Sequence, residues 1–122
     1  MTTLVGWCAV GGSRRGSTVR EARQTLAELH ATGLVSEPAP GRFGCHDLLR
    51  AYATGQGRSC DTRADRRAAR DRMLDHFLHT AHTAMQLIDP AADPLPLPSP
   101  VPGVRPERLR THTQAVTWFT AE

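Results

Sequence analysis

The sequence predicts a mainly α-helical chain with one two-stranded hairpin. Three observations point there. Apolar residues recur at helical spacing over residues 18–32 and 62–89. Between those stretches, two short apolar runs flank Pro38-Ala39-Pro40-Gly41, a Pro/Gly turn of the hairpin kind. After the second stretch, seven prolines crowd residues 90–106, which excludes helix and favours extended or polyproline backbone. With 122 residues in all, the expectation is one domain of roughly 90 residues with an irregular tail.

The elements follow in order. Residues 1–16 hold Leu4, Val5, Trp7 and Val10, but glycines and polar residues interrupt any period, so the segment reads as poorly ordered or a remnant. Thr18 and Glu21 make a capping-box pattern at the start of the first helix, and Val19, Ala22, Leu26 and Leu29 form its apolar stripe. Gly33 stands where a left-handed residue ends a helix, with Leu34 folding back on Leu29. Leu34–Glu37 and Arg42–Cys45 form the hairpin, and Asp47 is the expected N-cap of a short helix begun by Leu48, Leu49 and Tyr52. Helix, hairpin and helix in this order are the ending of a winged helix-turn-helix domain, with the hairpin as its two-stranded wing.

Gly55 to Asp61 is expected to be a loop. The long helix 62–89 carries an apolar stripe of Met73, Phe77, Ala81, Ala84, Met85 and Ile88, widened by Leu74, Leu78 and Leu87. Pro90 ends it. Pro94-Leu95-Pro96-Leu97-Pro98 fits a linker, or a segment lying along a surface. Thr113–Glu122 begins another helix through Val116, Trp118 and Phe119. A helix of about ten residues is not stable alone, so a piece of a longer protein, or a truncated product, is the expectation.

Composition narrows the function. The formal net charge is +3, and every one of the fifteen basic residues is Arg. That balance permits contact with nucleic acid without demanding it. Most Arg residues alternate with acids, as in Arg63-Ala64-Asp65-Arg66-Arg67, a pattern usual for a solvated helix face. Three unclustered cysteines (Cys8, Cys45, Cys60) argue against a disulfide framework and for a reduced compartment. No targeting or membrane segment is recognisable, so a cytoplasmic protein without a membrane partner is expected.

His46-Asp47 lies between a short strand and a helix, a place suited to meeting a phosphate. The plain alternative is a capping Asp and a hairpin-edge His. His76, His79 and His82 recur every third residue on the long helix and read as a polar flank; structural zinc asks for four ligands and nearby Cys, so no metal is assigned. Cys45 beside His46 lacks an orienting third group, and no catalytic residue is assigned.

Leu26–Val35, Pro38–Phe43 and His46–Ala53 together resemble the winged-helix part of bacterial NB-ARC regulators, large signal-transduction ATPases of the STAND class, many of them antibiotic-pathway transcriptional regulators. The Arg-rich helix, the Pro-rich segment and Ala115–Glu122 resemble the bridge into their tetratricopeptide-like repeats. The resemblance implies that His46 senses the diphosphate of ADP and that Asp47 orients it, with Cys45 in place of the family's Met. It also implies ADP/ATP as cofactor of an intact protein, and a nucleotide-binding core and helical repeats as partners. The departures are plain: without Lys there is no Gly-x-x-x-x-Gly-Lys-Ser/Thr phosphate loop, and no acidic strand end is present for magnesium. The core is then expected upstream, and this chain alone is expected to hold no cofactor and to be no enzyme.

The division expected on these grounds is 1–16, a remnant segment; 17–56, a partial winged-helix domain; 57–89, a loop and the long helix; 90–112, a Pro-rich linker; and 113–122, the start of a helical repeat. The competing expectation is a stand-alone winged-helix DNA-binding protein. Helix 18–32 would then enter the major groove with Arg20, Arg23 and Gln24, and Arg42 on the wing would reach a phosphate. Glu21 and Glu28 on the same side oppose it. A third expectation is a non-functional remnant of a regulator gene.

Overall fold

The computed structural model describes residues 19–39 and 41–121. The expectations for residues 1–16, for the capping box begun by Thr18 and for Glu122 lie outside them. The described residues form four helices and one two-stranded antiparallel sheet: α1 (Val19–Ala31), β1 (Val35–Ala39), β2 (Arg42–Cys45), α2 (Asp47–Cys60), α3 (Arg63–Ile88) and α4 (His112–Ala121). The mainly helical chain with one hairpin is thus as expected.

α1 ends in a left-handed glycine cap. The Leu34 N–H donates to Leu29 O at 3.0 Å and the Gly33 N–H to His30 O at 2.9 Å, with Gly33 at φ 75°. Two orphan carbonyls are satisfied by that reversal, which an L side chain would resist. The hairpin sets Val35 opposite Cys45, Ser36 opposite Gly44 and Ala39 opposite Arg42, with an irregularity between Ser36 and Ala39. Pro38, which has no N–H to give to a ladder, falls within that irregularity. The Gly41 N–H donates to the Glu37 carboxylate at 2.7 Å and fastens the turn. Leu26, Val35 and Phe43 form a small core, joined by half-buried Leu29, Cys45 and Leu49.

Two expectations about α2 are corrected. Asp47 is its first residue and not its N-cap; that position belongs to His46, whose side chain makes no capping bond. Residues 55–60 are helical and not a loop. Gly55 and Gly57 each disfavour helix by about 1 kcal/mol, yet the turn is held from outside. Arg66 reaches back from α3, and its Nη1 donates to Gly57 O at 3.4 Å, Arg58 O at 3.5 Å and Asp61 O at 2.5 Å. α3 starts at once after α2 with a full capping box: Asp65 N–H to Thr62 Oγ1 at 3.1 Å, and Thr62 N–H to Asp65 Oδ2 at 3.1 Å. The break falls at Asp61–Thr62, where the cap makes it.

The apolar stripe expected on α3 is met in part: Ala84 is buried and Phe77, Ala81, Leu87 and Ile88 pack in the second core, whereas Leu74, Leu78 and Met85 stay 55%, 49% and 49% exposed, and the polar His76 and Thr80 are fully buried beside Ala84. Apolar residues surround α3 on several sides, so periodicity alone does not single out its inner face. Packing does: Ala84 and Ala115 are both 0% exposed, and these two small residues let α4 approach α3 closely. Trp118 closes this second core with its ring centroid 6.1 Å from that of Phe77.

The segment between α3 and α4, residues 89–111, has no helix or strand but runs back along α3 as a strap. Val104 is buried, and Leu109 packs against the second core. Four side chains of α3 hold the strap. Asp75 Oδ2 accepts from the Val101 N–H at 2.8 Å, and Thr80 Oγ1 from the Glu107 N–H at 3.1 Å. His76 Nδ1 donates to Arg105 O and His82 Nε2 to Leu95 O, each at 3.0 Å. A proline-rich segment pairs little of its backbone with itself, here Ala92 N–H with Asp89 O and Val104 N–H with Val101 O, so these side chains supply further partners. Among the described residues, no helix is long and apolar enough to cross a membrane.

Candidate functional site

The strand-to-helix junction holds the residues singled out for phosphate sensing. β2 ends at Cys45, and His46 follows in extended backbone (φ −62°, ψ 150°) before α2 begins. Its carbonyl accepts the first helical bond, from the Arg50 N–H at 3.0 Å. Its imidazole is exposed and makes no hydrogen bond among the described residues. It therefore stands free beside the unpaired amides of a helix N-terminus, where partial positive charge gathers.

Asp47 points elsewhere. Its side chain is 93% exposed and pairs with Arg50 Nη2 at 3.2 Å, one turn along α2. With Arg50, Ala51, Thr54, Gly55 and Arg58 it lines a shallow groove of about 510 Å³ on the flank of α2. The two residues are neighbours in sequence, and the ion pair of Asp47 is with Arg50.

The residues of the DNA-reading alternative are placed as follows. Arg20, Arg23 and Gln24 all lie exposed on α1. Gln24 Nε2 donates to Glu28 Oε1 at 3.3 Å, so the amide is engaged with the acid beside it. Arg42 is half-buried on β2, and its Nη1 donates to Ala121 O at 3.4 Å, joining the hairpin to the end of α4. Arg20, Arg23 and Gln24 fall on one side of α1 by helical spacing, whereas Arg42 lies on β2.

The three histidines of α3 have separate tasks. His76 and His82 hold the strap, while His79 Nε2 lies 3.5 Å from Asp75 Oδ1 without hydrogen-bond geometry. Among the described residues no group of three or more His, Cys, Asp or Glu is placed to hold a metal ion. Sequence reasoning saw these histidines as a polar flank and missed that Asp75, His76, Thr80 and His82 anchor the strap. The available signal was polar side chains near a run of prolines, a segment whose missing N–H groups leave many carbonyls to be paired from outside. His82 also joins Leu78, Met85, Leu95 and Leu97 in lining an apolar groove of about 360 Å³ between α3 and the strap.

Comparison with protein-family models, with curated proteins and with solved structures yields no match. The functional reading therefore rests on the residues and their geometry.

Proposed function

We propose that this chain is the wing-bearing segment of an NB-ARC type transcriptional regulator, and that it reports nucleotide state from an ATPase core to helical repeats. The observation that carries the reading is the His46 imidazole, exposed and without a hydrogen bond at the start of α2. A free ring beside helix-terminal amides suits the diphosphate of ADP presented by a neighbouring domain. Behind it, the hairpin and α1 share one core through Leu26, Val35 and Phe43, which gives the ring a firm base. The tight α2–α3 corner, held by Arg66 and the Thr62 capping box, is a stiff route by which a movement of α2 reaches α3 and α4. In this reading Asp47 stabilises the helix start, through its charge near the N-terminus and its pair with Arg50.

Two measurements test it. An antibody to residues 62–89 should detect a native product several-fold larger than 13.3 kDa. In that protein, His46→Ala should shorten ADP retention and raise basal reporter output, while Asp47→Ala should act mainly on stability. A native band at 13.3 kDa, or unchanged ADP retention with His46→Ala, removes the assignment.

A further inference from the structure

The first two turns of α3 carry a stripe of arginines that the nucleotide-sensing reading does not use. At about 100° per residue, Arg63, Arg66, Arg67 and Arg70 fall within an arc of roughly 100°. All four are exposed. Arg63 and Arg70 make no ion pair or hydrogen bond among the described residues, and neither does the exposed side chain of Arg58 at the adjoining end of α2. Arg67 meets Asp71 at 3.9 Å, with side chains 78% and 57% exposed, a pairing that water screens and a stronger anion displaces. Arg66 is spent on the carbonyls of the α2 end but keeps its charge in the stripe. Asp65 lies on the other side of the helix and is tied into the capping box.

We infer that this α2–α3 corner binds the phosphodiester backbone of double-stranded nucleic acid without reading its sequence. The stripe spans roughly 10 Å along the helix, about three nucleotide steps of one strand at 3.4 Å each. Guanidinium forks match phosphate oxygens in pairs. The stripe itself is all Arg, and the exposed Leu74 lies one turn beyond it, so binding of polyglutamate is the control that separates an acidic protein from a nucleic acid. The flanking positions, Ala64 and Ala68, are too small to insert into a lipid surface. The contact rests on guanidinium–phosphate attraction and is therefore electrostatic.

The test is fluorescence anisotropy of the purified chain with a labelled 20-base-pair duplex between 50 and 200 mM NaCl. Four phosphate contacts predict a loss of affinity of about 150-fold over that range, and equal binding of two unrelated sequences. Arg63→Gln with Arg70→Gln should reduce the salt-dependent loss to about 12-fold. Arg20→Gln with Arg23→Gln, which removes the same charge from α1, should leave it unchanged. Circular dichroism verifies that both variants keep the helical content of the parent chain. No binding at 50 mM salt, an equal effect of the two double variants, or equally tight binding of polyglutamate or phosphatidylserine vesicles would overturn the proposal.

Discussion

Thr80→Val is the sharpest probe of the strap. Thr80 is 0% exposed, and valine keeps its volume and shape while removing the hydroxyl. That hydroxyl does two things: it donates to His76 O at 2.8 Å and accepts from the Glu107 N–H at 3.1 Å. The first loss is slight, because His76 O belongs to an α-helical ladder and keeps its backbone partner. The second leaves an amide without an acceptor in a half-buried place, which costs about 1–3 kcal/mol. Thr83→Val is the internal control. Thr83 bonds only to its own helix, donating to His79 O at 3.1 Å, and holds nothing of the strap. The expected cost there is below about 0.5 kcal/mol. Urea unfolding followed by far-UV circular dichroism gives both numbers, and hydrogen exchange at the Glu107 amide locates the effect, with about tenfold faster exchange per 1.4 kcal/mol lost. Equal costs for the two variants, or an unchanged Glu107 amide in Thr80→Val, would refute the claim that α3 side chains hold the strap.

Two further substitutions examine the α2–α3 corner. An added methyl at Gly55 meets nothing within 4 Å, so Gly55→Ala should raise stability by about 0.5–1 kcal/mol if the residue is helical; a loss in thermal or urea unfolding would return residues 55–60 to a loop. Arg66→Ala should cost about 0.5–1 kcal/mol and increase exchange at the last turn of α2, because the carbonyls of Gly57, Arg58 and Asp61 lose a common donor. Unchanged exchange there would mean that the bonds of Arg66 do not hold the turn.

Much of the fold was legible in the sequence, for local reasons. The Gly33 cap, the Pro/Gly turn, the Thr62 start and the Pro90 stop are each encoded within a few residues, and each stands where expected. What failed depended on distant partners. Gly55 and Gly57 look like breakers until Arg66 is seen reaching back nine residues. The apolar part of the inner face of α3 could be read, but His76 and Thr80 could not, because they are buried by the strap they bind, and polar residues do not announce such a face by hydrophobicity. Of the candidate site, the placement was legible and the pairing was not: His46 stands at the strand-to-helix junction that the sequence marks, while the ion pair of Asp47 with Arg50 follows from α2 beginning at Asp47, one residue earlier than a capping Asp implies.

The packing also sets how the chain transmits strain. One core joins α1, the hairpin and Leu49, and the other joins α3, the strap and α4. Between them α2 contributes no buried residue, and the bond from Arg42 to Ala121 is exposed and 3.4 Å long. An exposed bond of that length adds little to stability, and the chain passes from one core to the other through the short α2–α3 corner. They should therefore unfold as separate units. Trp118→Ala removes a side chain that is 5% exposed and should cost about 3–5 kcal/mol within the second core. Native-state hydrogen exchange should then show α3 and α4 amides collapsing while Phe43 and Cys45 in the hairpin keep their protection. If the hairpin loses protection in step with α4, the cores are one cooperative unit. A signal arriving at His46 would then reach α4 through the whole body of the protein, and the corner would have no special part in carrying it.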